Sequence, residues 1–281
     1  MAGTAGATEW RFTDDRGALV RAPARPRRVV AYVRAGAALH DLGVTPVAVY
    51  GSGHDGPRLD PAKAGGLPAA TGYLGTGFPD AGALAALERE RPDLVVDVTY
   101  DGKGAYACDE DALARLGVPV AALAVSGDRP LAGVVERFGD LAAALGGTGA
   151  LLDADAEDAV RRAAGDGGGP RVLALSGAGP DTVYLARPDT WPELRRLRAL
   201  GVDLAEPDEG PGVNWLTTGW DRVRELRPDL LLVDDRAHAA RPPALDAAAL
   251  PWNPETPPSP VAYGRFFRAV ADALEHLRAE R

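Results

Sequence analysis

Arg91-Pro92-Asp93-Leu94-Val95-Val96 and Arg227-Pro228-Asp229-Leu230-Leu231-Leu232 decide the reading of this chain. Proline cannot continue a helix, and the residue before it is pushed out of the right-handed helical region. Each stretch therefore marks the end of a helix and the start of a continuous apolar run of the buried parallel-strand type. The helical patterns leading in also correspond: Leu84 matches Trp220 and Leu87 matches Val223 at the same offset. Leu42-Gly43-Val44 returns as Leu200-Gly201-Val202, a helix stop before a strand. Two copies of one α/β unit follow from these matches.

Working outward, Trp10, Phe12 and Leu19 around Asp14-Asp15-Arg16-Gly17 predict a hairpin, and Val29–Val33 a buried strand. A helix through Leu39 and Leu42 and a strand over Pro46–Tyr50 make a β-α-β unit. The stretch from Gly51 to Gly72 reads as a long loop, of the kind that is functional or mobile. Helix Ala81–Arg89, strand Asp93–Val96, a helix near Asp111–Leu116 and strand Val118–Val125 continue the alternation. Leu131–Ala164 is helical in pattern apart from Gly146-Gly147, and Gly165–Pro170 breaks it. The later half predicts strands at Arg171–Leu175, Thr182–Leu185, near Val202 and Val213, and at Asp229–Val233. Its helices are expected at Pro192–Leu200, Gly219–Leu226 and Pro260–Arg278. The expected division is residues 1–130 as an N-terminal α/β lobe with an edge hairpin, 131–168 as a helical linker, and 169–281 as a C-terminal α/β lobe with a terminal helix. Two such lobes joined by one helical connection imply a cleft, and parallel sheets bind ligands outside the carboxyl ends of their strands.

The chain has 281 residues, 46% hydrophobic and 25% charged, with a net charge of −9. That balance offers no electrostatic footprint for nucleic acid or an anionic membrane. One cysteine, Cys108, excludes a disulfide framework and a thiolate cluster within the chain. Gly51-Ser52-Gly53-His54-Asp55-Gly56 has the spacing of a dinucleotide fingerprint, but that motif must open a helix, and Pro57-Arg58-Leu59-Asp60-Pro61 follows instead. Ser126 and Ser176 follow strands without the G-x-S-x-G elbow of a hydrolase. No catalytic residue is assigned. His54 and His238 follow strands in opposite halves, where a metal ion could find them, yet no third histidine or H-E-x-x-H spacing accompanies them.

What remains is a set of loop residues suited to a bound small molecule: Tyr32, Arg34, Tyr100, Lys103, Tyr106, Arg187, Trp191, Trp215 and Arg236. Arginine supplies bidentate hydrogen bonds and stacking, and tyrosine or tryptophan a rigid apolar wall with a polar tip. The repeat puts Tyr100 and Arg236 at the same place in opposite halves. Trp220 pairs with Leu84 and reads as helix packing.

These features together resemble the substrate-binding proteins of ABC importers for iron-siderophores and cobalamin, the helical-backbone class. The resemblance runs from Phe12 through the F-x-D-D-x-G hairpin, Pro26–Val30, Leu42-Gly43-Val44-x-Pro46-Val47, Tyr73-Leu74-Gly75, Leu84-x-x-Leu87 and both Arg-Pro-Asp-Leu segments. It implies two Rossmann-like lobes with mainly parallel sheets, joined by a single long helix within Thr148–Ala164, and a ligand cleft between the lobes. It further implies non-catalytic binding of a ferric siderophore or similar metal chelate, no covalently bound cofactor, an ABC permease as partner if the chain is exported, and a monomer. A cytosolic enzyme or biosynthetic accessory on the same fold and direct binding of a bare metal ion are the alternatives. The family's exported members carry a signal, often ending in a lipid-modified cysteine; none is present here, so a cytoplasmic location is expected unless an upstream signal is missing. An anionic chelate would have to be captured by local cations, for which Arg34, Lys103, Arg187 and Arg236 are the candidates.

Overall fold

A computed structural model describes residues 9–77, 81–165 and 167–280. The amino-terminal residues before Glu9 and Asp166 of the expected Gly165–Pro170 break lie outside the described residues. The chain forms two compact units. Unit 1 comprises residues 1–125, 134–151 and 257–259; unit 2 comprises 126–133, 152–256 and 260–281.

In unit 1 the elements run β1 (Trp10–Thr13), β2 (Leu19–Ala22), β3 (Val29–Tyr32), α1 (Val33–Asp41), β4 (Ala48–Gly51), α2 (Pro61–Ala64), β5 (Gly72–Thr76), α3 (Ala81–Glu90), β6 (Leu94–Thr99), α4 (Glu110–Arg115), β7 (Val120–Ala124) and α5 (Leu131–Ala144). Strands β3 to β7 form an all-parallel sheet of order β5-β4-β3-β6-β7. Every residue of β3, β4 and β6 is buried, as a parallel sheet covered on both faces requires. The β1-β2 hairpin closes the open edge of β7: the Ala122 amide donates to Asp14 at 3.1 Å and the Ala124 amide to Asp15 at 2.8 Å. Asp15 also holds Arg137 of α5 at 2.8 Å.

Unit 2 contains α6 (Ala154–Ala164), β8 (Arg171–Gly177), β9 (Val183–Ala186), α7 (Pro192–Ala199), β10 (Asp203–Leu204), β11 (Trp215–Thr218), α8 (Trp220–Leu226), β12 (Leu230–Asp234), β13 (Ala248–Trp252) and α9 (Pro260–Ala279). Its sheet has the order β11-β9-β8-β12-β13, with the short β10 also paired to β8. Strands β10, β8, β12 and β13 are parallel; β9 alone is reversed, pairing antiparallel with both β8 and the edge strand β11, which therefore runs in the direction of β8. Helix α9 packs on α6. Arg268 of α9 pairs with Asp153, the N-cap of α6, and Arg278 donates to the Ala164 carbonyl at the other end of α6.

The two Arg-Pro-Asp-Leu segments do the same structural work. Arg91 and Arg227 are the described non-glycine residues with positive φ, at 46° and 47°. Each ends its helix in the left-handed conformation and hands the chain to proline. Asp93 then accepts from the Arg27 and Arg28 amides, both at 2.8 Å, and Asp229 from the Arg171 amide at 2.6 Å. Each aspartate thereby ties its new strand to the start of the neighbouring central strand, β3 or β8. The Leu-Gly-Val steps are also equivalent: Gly43 and Gly201 adopt φ of 85° and 98°, and the following valine amide bonds back to the Leu39 or Leu197 carbonyl in a Schellman turn.

Several expectations need revision. The Gly51–Gly72 loop is pinned rather than open: α2 lies within it, Asp60 caps that helix, and the buried Lys63 Nζ sits 2.7 Å from Asp55. Strands β5 and β13 are additional to those expected, and Val213 is exposed, the strand beginning at Trp215. The helix anticipated within Thr148–Ala164 is α6, shortened because Asp153 caps it. The stretch expected as a separate linker, 131–168, is shared between the units, 134–151 with unit 1 and 131–133 and 152–168 with unit 2.

Candidate functional site

In unit 1 the carboxyl ends of β3 and β6 collect most of the expected residues. Tyr32 ends β3 and is fully buried; Arg34 lies in the first turn of α1; Tyr100, Lys103 and Tyr106 come from the loop after β6. The Tyr106 ring meets Tyr32 at 5.6 Å and Tyr100 at 4.8 Å, both edge to face. Arg34 Nη1 donates to the Tyr100 hydroxyl at 3.2 Å. Arg34 is 2% exposed, whereas Tyr100 and Tyr106 present 36% and 37% of their surface. Lys103 is exposed in the same loop.

Two aspartates hold that loop. Asp97, buried within β6, accepts from the Tyr50 hydroxyl and from the Ala107 and Cys108 amides, all at 3.0 Å. Desolvation outweighs these bonds and raises its pKa above the ordinary carboxylate range. Burial and the neighbouring Asp97 push the Cys108 thiol up as well. Asp101 accepts from the Lys103 and Gly104 amides, and these bonds hold its pKa down.

In unit 2 the aromatic group is larger than the sequence suggested. Trp191 meets Trp215 at 5.0 Å and Trp252 at 5.5 Å, and Tyr184 lies 6.4 Å from Trp215. Trp215 and Trp252 come from the two edge strands of the sheet. Trp252 is 1% exposed, while Trp191 and Trp215 are half-buried and Tyr184 is exposed. Trp220 is buried in the unit 2 core, as its match to Leu84 suggested.

The cations of unit 2 differ from expectation. Arg236 is closed by carboxylates: Nη2 and Nε reach Asp234 at 2.7 and 2.9 Å, and Nη1 reaches Glu255 at 2.7 Å. Both acids are buried, and they raise the Arg236 pKa against the desolvation that opposes it. Ser176 adds a 2.7 Å hydrogen bond to Asp234. Arg187 donates to the Asp208, Gly210 and Gly212 carbonyls, stapling the loop before β11. A cavity of about 740 Å³ within unit 2 is lined by Asp234, Arg236, Arg241, Leu245 and Leu250 among others.

His54 and His238 are both exposed, and among the described residues no group of three histidine, cysteine or acidic side chains is placed to hold a metal ion. Sequence reasoning missed Asp97, Trp252, Glu255 and Lys63. An acid inside an apolar strand was the available signal for Asp97; Glu255 follows Pro254 in an irregular segment and gave none.

The sequence matches no family model, and a search of curated proteins finds no match. Among solved structures, DesE, a ferric-siderophore receptor protein from Streptomyces coelicolor, is 27% identical over 95% of this chain and 98% of its own, with a TM-score of 0.80. The chain has the fold of the siderophore- and haem-binding substrate-binding proteins. Within this receptor fold the resemblance extends to more distant structures. Fe3+-Desferal-bound FhuD from Vibrio cholerae is 17% identical with a TM-score of 0.57, covering 89% of this chain and 98% of FhuD. The haem-binding RhuT from Roseiflexus sp. RS-1 is 20% identical with a TM-score of 0.58, at the same coverage.

Proposed function

We propose that this chain binds a ferric siderophore or similar metal chelate without transforming it, and that it delivers the chelate to an ABC permease. The observation that carries this reading is the likeness to DesE over nearly the full length of both chains. The site geometry supports it: tyrosines beside Arg34 in unit 1 and the tryptophan group in unit 2 offer rigid walls with polar tips. The same comparisons give no support to an enzyme on this fold, and exposed His54 and His238 give little to binding of a bare ion. The test is a tryptophan-fluorescence titration with iron-loaded and iron-free chelates of the hydroxamate, catecholate and carboxylate classes and with haemin. Saturable quenching by an iron-loaded chelate, recovered unchanged by mass spectrometry, is the expected result. Absence of binding across the panel, or recovery of a chemically altered chelate, rejects the reading.

A further inference from the structure

We propose that unit 2 holds a second binding site, apart from its tryptophan group, which takes a medium-chain aliphatic monocarboxylate. This goes beyond chelate binding and does not depend on it.

The site is the cavity of about 740 Å³ beside β12, β13 and their connection, a volume within the range of small-molecule sites. Strand register separates it from the tryptophans. Leu231 pairs with Ala249 and Val233 with Pro251, so these four share one face of the sheet, and all four border the cavity. Leu231 belongs to the core cluster that includes Trp220, Val223 and Leu226 of α8, and Leu245 and Ala247 pack against that cluster. Trp252, paired with Asp234, falls on the opposite face. So does Trp215, because the next residue, Leu216, lies in the α8 cluster.

Unit 1 shows what normally fills such a space. Its equivalent connection, from β6 to β7, contains α4, whose Leu113 is fully buried in the core. Residues 235–247 join β12 to β13 without a helix. Pro242 and Pro243 disfavour one, and an antiparallel bridge pins the connection to the end of β8, the Ala240 amide donating to the Gly177 carbonyl at 2.8 Å. A Cβ at Gly177 would overlap the Ala240 carbonyl, so glycine is what allows this approach. Ala247 and Ala249 carry too little side chain to occupy the volume that a helix fills in unit 1.

The lining selects the ligand. Its apolar walls are leucine, valine, alanine and proline, with no aromatic ring on which a planar ligand could stack. Of its charged residues, Asp234 and Arg236 are ion-paired, and Asp235 has a partner of its own. Arg241 is exposed and makes no hydrogen bond or ion pair among the described residues. An aliphatic chain laid against the sheet, with its carboxylate on the Arg241 guanidinium, satisfies both halves of that lining.

The test is calorimetric titration of the wild-type chain with decanoate, decanol and decylammonium, each below its micelle concentration. Decanoate should bind saturably, at one site per chain, and more tightly than the other two. Arg241→Gln should weaken decanoate ~2–5-fold, the effect of a partly exposed ion pair, and leave decanol unchanged. Ala249→Trp, at an exposed edge position, fills the cavity. It should weaken decanoate and decanol at least about tenfold, because excluding even two buried methylenes costs that much. Circular dichroism checks the fold of both variants, and Arg241→Gln alone decides the matter if Ala249→Trp does not fold. No saturable decanoate binding, decanol bound as tightly as decanoate, or an unchanged decanoate affinity in either folded variant overturns the proposal. Chelate binding, followed by tryptophan fluorescence in the same wild-type chain, stands or falls separately.

Discussion

The two units share their helix-to-strand turn and differ at the opposite ends of their sheets. In unit 1 the carboxyl ends carry tyrosines, with a buried arginine hydrogen-bonded to a phenol. In unit 2 Trp252 ends β13, and the arginine just beyond β12 is enclosed by acids. The turn is fixed because Asp93 and Asp229 tie each sheet together. The far ends carry no such constraint from the fold, so similar scaffolds can present different chemistry.

The largest effect expected on either side of that contrast is in unit 2. Arg236→Ala strands two buried carboxylates, and breaking a buried ion pair costs ~3–5 kcal/mol. Chemical denaturation should show that loss, and a change under about 1 kcal/mol would mean the acids are solvated or protonated instead. In unit 1, Asp93→Ala abandons the Arg27 and Arg28 amides, and in unit 2 Asp229→Ala abandons the Arg171 amide. These amides are exposed or half-buried, so water can take the lost partner's place and each bond is worth about 0.5–1.5 kcal/mol; Asp93→Ala should be the more destabilising of the two. Equal losses would show that the second amide contributes nothing.

Arg91→Gly and Arg227→Gly test the equivalence of the turns themselves. An L-residue in the left-handed region costs ~1–2 kcal/mol, partly offset by the added freedom of glycine when unfolded. Both substitutions should stabilise, by roughly 0.5–1 kcal/mol, and opposite signs at the two positions would break the equivalence.

The smallest effect concerns Asp97, whose pKa is raised in the folded chain. The folded state holds that proton more tightly, so the contribution to stability is complete below the ordinary carboxylate pKa and is lost as pH rises through the folded value. Unfolding midpoints followed upward from about pH 4 should decline through a component absent from Asp97→Asn. Identical pH profiles would show that Asp97 titrates normally.

The turns were legible because proline and glycine act locally. Pro92, Pro228, Gly43 and Gly201 fix backbone geometry whatever surrounds them, and the apolar runs after each proline had to be buried. Strand β5 escaped because two of its residues are glycine and all are half-buried, leaving no alternation to read. Strand β13 escaped because Ala248-Ala249-Leu250-Pro251-Trp252 contains proline and is largely exposed at an edge. Tyr32, Arg34, Tyr100 and Tyr106 could be grouped because each lies at a strand end or just beyond it. The state of Arg236 could not be read, since its partner Glu255 comes from beyond the next strand and nothing local links them. Nor could the fixing of the Gly51–Gly72 loop, which depends on Lys63 reaching Asp55 from within α2.

Helix α9 grips α6 at both ends, through Arg268 on Asp153 and Arg278 on the Ala164 carbonyl. Helix α6 is the earliest helix of its unit, yet its partner is synthesised about a hundred residues later. At ribosomal speeds of about 5–20 residues per second, that leaves α6 waiting roughly 5–20 s with one face uncovered. Unit 2 therefore completes its packing only after α9 has left the ribosome, and a nascent chain halted before Pro260 exposes the face of α6 to chaperones and proteases.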